Sequence, residues 1–219
     1  MSVTFLSTSS QLCAVRRETA LPPIERVTAK HLGIALLHAV EKRLFRFETF
    51  GAASIIVPPA RRVLGTKYAS IGRGCFFGAG LTLSICDEYL GVRYTPVFVV
   101  GDQTMIGRDV VIACTHSVII GAAVTVADRV YIGDSYHGYT DPERAILEQP
   151  MQGQAPVTIG DGCFIGIGSA ILPGVTLGPR CVVGPNAVVT RSFEANTVLL
   201  GNPARAIRIY DHTKKVWIP

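Results

Sequence analysis

From Ile159 to Glu194 the chain can be written in sixes, IGDGCF, IGIGSA, ILPGVT, LGPRCV, VGPNAV and VTRSFE, each opening on Ile, Leu or Val. The second place is mostly Gly, and the fifth place of the first five hexads is Cys, Ser, Val, Cys and Ala. Upstream, IGRGCF and FGAGLT (71–82) and VGDQTM, IGRDVV and IACTHS (100–117) carry the same pattern, read in one phase. It slips by two residues at Ile120-Gly121 and continues as IGAAVT, VADRVY and IGDSYH. An internal repeat of this length decides the fold before local propensity does.

Six is not a helical period, and strands of two or three residues cannot stand alone. The physical solution is a coil of three short strands joined by tight turns, eighteen residues a circuit. Ile159 is then expected to stack on Leu177, Ile165 on Val183 and Ile171 on Val189. The first residue of each hexad faces the interior and the small fifth residue fits the corner. Gly is expected to supply the turn conformations, and neighbouring coils hydrogen-bond about 4.8 Å apart. The product is an all-β solenoid whose ends need caps.

Composition agrees with one such domain. Of the 219 residues 48% are hydrophobic and only 17% charged, and the excess is Val and Ile, which suit strands. No apolar run approaches the roughly 20 residues that cross a bilayer, and the N-terminus lacks a secretory pattern, so a cytoplasmic location is expected. The six cysteines are widely spaced with no CxxC, which reads as free thiols, and Cys163 and Cys181 occupy equivalent fifth places. The net charge of +5 is mild, without the basic stripe and aromatics that nucleic-acid binding needs.

Residues 28–48 place Leu32, Leu36, Val40, Leu44 and Phe47 on one helical face, an amphipathic helix that would close one end of the solenoid or touch another subunit. Docking on a membrane is the alternative use of such a helix. The expected organisation is an N-terminal helical segment (1–50), the solenoid (51–200) and a C-terminal tail (201–219) folding back along the prism. Pro58-Pro59 separates the helix from the first coils.

The rhythm is read as interrupted once. After Ile132-Gly133 the chain runs through SYHGYTDPERAILEQPMQGQAP before the sixes resume at Val157, giving a protruding loop at 134–156. Long ordered loops are often functional. His137 stands at the exit of the strand VYIGD, and imidazole is the side chain best able to take a proton near neutral pH. His116 falls on an inward fifth place, where an imidazole fits poorly, unless the adjacent phase slip turns it outward. Cys114 and His116, two apart, are a faint echo of a thiol nucleophile pair. Asp134, Asp141 and Glu143 are candidates to orient the imidazole or bind hydroxyls, and otherwise are solvated loop charges. Tyr136 and Tyr139 would stack on a sugar ring or shield His137.

The stretch from VYIGDSYHGYTDP to PVTIGDGCFIGIGSAILPGVTLG resembles the sugar O-acetyltransferase branch of the hexapeptide-repeat acyltransferases, and GNPARAIRIY is similar to that family's terminal Gly-x-Pro-Ala-(Lys/Arg) signature. The resemblance covers about residues 50–210. It implies a left-handed parallel β-helix, a handedness the hexads alone do not give. It also implies transfer from acetyl-CoA to a sugar or glycan hydroxyl, with His137 as general base and no metal. Thr115 and His116 would lie on a turn lining the acceptor pocket, with Asp134 and Tyr139 as further substrate contacts. In the family CoA lies in a groove between copies packed as homotrimers. The positions matching that groove are Ile167, Pro185, Thr190 and Arg191, with Arg205 and Arg208 as partners for the phosphates. Ile167 stands where some relatives carry Ser, and Pro185 where Ala is usual, so one backbone donor is missing. Rival readings are an antibiotic-inactivating acetyltransferase, a non-catalytic β-helix binding protein, and a zinc enzyme on the same fold, which would need three convergent histidines.

Overall fold

The computed structural model describes residues 45–219. Short parallel strands wind into a prism with three walls. The first wall stacks Thr49–Phe50, Ala69–Ile71, Val97–Val100, Ser117–Ile120, Val157–Ile159 and Thr176–Leu177. The second begins Ile55–Ile56, Phe76–Phe77, Met105–Ile106, Thr125–Val126, Phe164–Ile165 and Val182–Val183. The third runs Arg62–Leu64, Thr82–Ile85, Val111–Cys114, Tyr131–Gly133, Ala170–Ile171 and Val188–Val189. The expected stacking is met: Ile159 pairs with Leu177, Ile165 with Val183 and Ile171 with Val189.

The hexads explain why. First places such as Ile106, Ile132, Ile165 and Val183 are wholly buried, and so are fifth places such as Val124, Val175 and Cys181. A buried aliphatic side chain contributes about 1.5–3 kcal/mol over an exposed one, and each coil supplies several. Where the fifth residue carries a hydroxyl, a turn carbonyl accepts from it: Thr104 donates to Gly121 O at 2.7 Å and Ser169 to Gly166 O at 2.7 Å.

The role of the second-place glycines differs from expectation. The left-handed backbone lies at the fourth place, at Gly162 (φ 66°), Gly168 (φ 69°) and Gly174 (φ 80°), but equally at Gln103, Ala123, Arg129, Arg180 and Asn186. Second-place glycines are required instead by close approach between coils. A Cβ on Gly160 would lie 2.6 Å from Pro179 N, and one on Gly101 2.5 Å from Ala122 N. Third-place aspartates join neighbouring coils at the corners: Asp102 accepts from Arg73 N, Asp128 from Arg108 N and Asp161 from Ala122 N, each at 2.8 Å.

The ends depart from expectation in three ways. Most of the amphipathic segment at 28–48 lies outside the described residues; the chain has left helical geometry by Arg46, and Phe47 stacks on Phe50 with centroids 4.7 Å apart. Pro58-Pro59 follows two wall strands, so it does not separate a helix from the solenoid. The tail does not fold back along the prism. Thr197–Gly201 adds to the second wall in parallel, and Ala204–Asp211 and Val216–Ile218 extend it further as antiparallel strands. Among the described residues no helix is long and apolar enough to cross a membrane.

Candidate active site

Among the described residues the chain makes two excursions from the prism, both at the corner between the third and first walls. One departure is the expected loop at 134–156. The other, at 86–96, lies between Thr82–Ile85 and Val97–Val100 and forms a small antiparallel hairpin of Glu88–Tyr89 and Val92–Arg93. The hexads did not reveal it, although a signal exists. Ile71 and Val100 are 29 positions apart, one short of five hexads, so the phase is not continuous across this stretch. Between the two departures, on the intervening coil, the same corner is turned tightly by Thr115 and His116.

Asp134 holds that arrangement together. It is wholly buried, and its carboxylate accepts from the N–H groups of Thr115 (2.9 Å), His116 (2.8 Å) and Ser117 (2.7 Å) and from the Thr115 hydroxyl (3.2 Å). Its own carbonyl accepts from Ala155 N at 2.9 Å, which ties the two ends of the loop. The expected contact of Asp134 with substrate is therefore corrected: its carboxylate is saturated by the turn below. Thr115, also expected to touch substrate, is buried with its hydroxyl turned to Asp134, though the residue still lines the cavity described next. Burial and the Asp134 charge push the Tyr131 phenol upward.

The 134–156 loop is an ordered hairpin. Tyr136–His137 pairs antiparallel with Met151–Gln152, His137 opposite Met151. Gln149, nearly all buried, knits the far end: it accepts from Asp141 N (3.1 Å) and donates to the carbonyls of Asp141 (2.9 Å) and Arg144 (3.0 Å). Asp141 accepts from Glu143 N at 3.0 Å, so it shapes the loop, while Glu143 is exposed.

His137 is exposed and stands at a cavity of about 210 Å³ between the outer face of the third wall and the two departures. Arg62, Ser84, Ala113, Cys114 and Thr115 line the prism side, and Cys86, Tyr89 and Met151 the rest. The 86–96 hairpin braces the histidine strand. The Tyr89 ring meets His137 edge-on, centroids 5.6 Å apart, and its hydroxyl donates to Leu147 O at 3.1 Å. Tyr94 accepts from Met151 N at 3.2 Å. Tyr89, Tyr94, Met151 and Arg62 are thus site residues not foreseen from the sequence: the two tyrosines lie on the unrecognised departure, Arg62 sits far upstream, and Met151, in the expected loop, carries no chemical signal of its own.

Other expected residues are not gathered there. His116 is turned outward, as the phase slip allows, on the corner between the departures, but the cavity wall uses Thr115. Tyr139 is 65% exposed and pairs with Tyr136 at 5.5 Å; it is Tyr89 that touches His137. Cys114 and His116 do not face the same way: the thiol is buried, donates to Val97 O at 3.5 Å, and is pushed far up by burial and by the Asp134 charge.

The six residues expected at CoA are all exposed but are spread over two corners and the extended second wall of one chain. Ile167 and Pro185 stack at the corner between the second and third walls, where Asn186 N donates to Ile167 O at 2.9 Å. Arg205 and Arg208 lie on the extension of that second wall. Thr190 and Arg191 follow the last strand of the third wall, with the Arg191 guanidinium 4.9 Å above the Phe193 ring. Pro185 has no N–H to offer.

A three-walled parallel prism wound from six-residue repeats is the architecture of the hexapeptide-repeat transferases. Comparison with known proteins agrees. The family model described as bacterial transferase hexapeptide (six repeats) matches residues 156–191. The protein named "Putative lipopolysaccharide biosynthesis O-acetyl transferase WbbJ" of Escherichia coli K12 is 35% identical over 155 residues, 68% of this chain and 76% of that protein. The galactoside O-acetyltransferase of Escherichia coli K12 is 28% identical over 194 residues, 85% of this chain and 79% of its own. The hexapeptide-repeat containing acetyltransferase VCA0836 of Vibrio cholerae O1 biovar eltor, solved with acetyl coenzyme A, superposes with a TM-score of 0.54 at 25% identity, covering 81% of this chain and 78% of that one. The chain belongs to the hexapeptide-repeat acyltransferase family, and its solenoid is the left-handed parallel β-helix of that family.

Proposed function

We propose that this protein is an acetyl-CoA-dependent O-acetyltransferase acting on a hydroxyl of a sugar or glycan, with His137 as general base. One observation carries the reading. His137 is an exposed imidazole at a cavity, edge-on to the Tyr89 ring, on a loop tied to the 86–96 excursion where Tyr89 donates to Leu147 O and Met151 N donates to Tyr94. A positioned base of this kind contributes about 10²–10⁴-fold.

In the proposed reaction His137 takes the proton of the acceptor hydroxyl. The oxygen attacks the thioester carbonyl, the carbon–sulfur bond breaks, and the CoA thiolate leaves and recovers the proton. A thioester is already activated, so no covalent enzyme intermediate is needed. Cys114 is a poor nucleophile on both geometry and ionisation, which supports direct attack.

The separation of Ile167 and Pro185, with Arg205 and Arg208 on the adjoining extended wall, from Thr190 and Arg191 at another corner supports a CoA groove shared by adjacent copies in a homotrimer. One copy supplies the corner at Ile167 and Pro185, the next the corner at Thr190 and Arg191. The test is thiol release from acetyl-CoA across a panel of sugar acceptors, with wild type and His137→Ala. Turnover is expected to fall about a hundredfold or more with CoA binding kept. A variant that turns over at the wild-type rate would remove His137 as the base.

A further inference from the structure

The cavity beside His137 carries one formal charge, and it is positive. Its wall is Arg62, Ser84, Cys86, Tyr89, Ala113, Cys114, Thr115, His137 and Met151, with no carboxylate. The nearby acids are engaged elsewhere. Asp87 is taken by Lys67 and the Tyr68 hydroxyl, both at 2.8 Å, and is held below the usual carboxylate range by them. Glu88 lies 3.8 Å from Arg93, and Asp134 is buried under the turn it organises.

Basic neighbours of Arg62 have partners. Arg61 pairs with Asp109 at 2.8 Å, Lys67 with Asp87 and Arg93 with Glu88. Arg62 has a backbone bond to Leu81 O but, among the described residues, no side-chain hydrogen bond or ion pair. Arg62 lines the cavity, and its guanidinium has N–H donors left unengaged for a ligand that enters that space. A guanidinium fork matches a carboxylate or phosphate with two parallel hydrogen bonds, and such charge-assisted pairs are stronger than neutral ones. Water screens an exposed arginine, but a ligand filling the cavity displaces that water and strengthens the pairing.

We propose that the acceptor is an anionic sugar, its carboxylate or phosphate held by Arg62 while the hydroxyl to be acylated lies against His137. This rests on the transferase reading of the same cavity and narrows its substrate class. Arg62 is then a specificity-determining residue, contributed by the wall strand Arg62–Leu64 from the opposite end of the cavity to the histidine loop.

The experiment measures acetyl-CoA-dependent thiol release with p-nitrophenyl β-D-glucuronide, glucose 1-phosphate and p-nitrophenyl β-D-glucoside. The glucuronide and glucoside share ring and aglycone and differ at C6, where a carboxylate replaces the hydroxymethyl group, whereas glucose 1-phosphate keeps the 6-hydroxyl. Wild type is expected to favour at least one charged acceptor over the glucoside in kcat/KM. Arg62→Gln is expected to lower that charged-to-neutral ratio by about tenfold or more, with Arg62→Lys between, since it keeps the charge and loses the fork. The acceptor whose ratio changes more identifies carboxylate or phosphate as the group held. A ratio untouched by Arg62→Gln, or a wild type indifferent to charge, would overturn the anionic class while leaving the transferase intact. Absence of thiol release above hydrolysis with all three acceptors would bring down the transferase reading and this one with it. An unchanged melting temperature for Arg62→Gln separates lost recognition from lost folding.

Discussion

Two kinds of glycine position share one hexad and answer to different physics. At the second place the missing Cβ makes room for the next coil's backbone; at the fourth it relieves a left-handed backbone that arginine, asparagine and glutamine also adopt in this chain. The substitutions Gly160→Ala and Gly74→Ala separate the two. The first puts a Cβ 2.6 Å from Pro179 N, where backbone must move, whereas the second meets nothing nearer than Gln103 Cγ at 3.9 Å and costs only the conformational penalty. Thermal unfolding should show Gly160→Ala destabilised by about 2–3 kcal/mol or more and Gly74→Ala by about 1 kcal/mol. Equal effects would contradict the distinction. The hexads showed that glycine was needed at the second place. They could not show why, since the obstructing atom belongs to another coil. Asp134 teaches the same lesson: in the sequence it is a loop acid beside a candidate base, and only the fold reveals three N–H groups converging on it.

At the scale of elements, the candidate site is a pair of excursions locked together. Tyr94 and Tyr89 come from one, His137 and Met151 from the other, and each tyrosine makes one hydrogen bond across the gap. Tyr94→Phe removes the acceptor for Met151 N while leaving the ring. The expected result is little change in melting temperature, because the hydroxyl is worth about 1 kcal/mol. Hydrogen exchange at the Met151 amide should quicken, and kcat should fall by up to about tenfold, with KM for acetyl-CoA unchanged, as the histidine strand loses its brace. A variant with wild-type exchange at Met151 and wild-type kcat would show that the bond positions nothing. The loop at 134–156 was legible because the rhythm stops visibly at Gly133. The hairpin at 86–96 was not, because CDEYLGVRYTP is short and leaves only a one-residue shift of phase.

The described residues form a rod with one wall lengthened by an antiparallel extension, on which Ile207, Ile209, Val216, Trp217 and Ile218 are exposed. If CoA lies between copies, light scattering should report a mass three times the 23.5 kDa of the chain. Arg191→Ala and Arg208→Ala should each raise KM for acetyl-CoA by about tenfold without changing that mass. A monodisperse monomer with full activity would exclude the shared groove.

The hexads by themselves determined the prism, its inward residues and the register of the coils from Ile159 onward. They do so because each six-residue side specifies its own burial locally and every coil repeats the instruction. They also marked His137, by interrupting themselves there. The tertiary structure alone decided what surrounds that imidazole. Arg62, Ser84, Tyr89, Ala113 and Met151 belong to different coils and different loops, and coil stacking brings them to one corner. A repeat encodes the distance from one wall to the next, not what the loops between walls will meet.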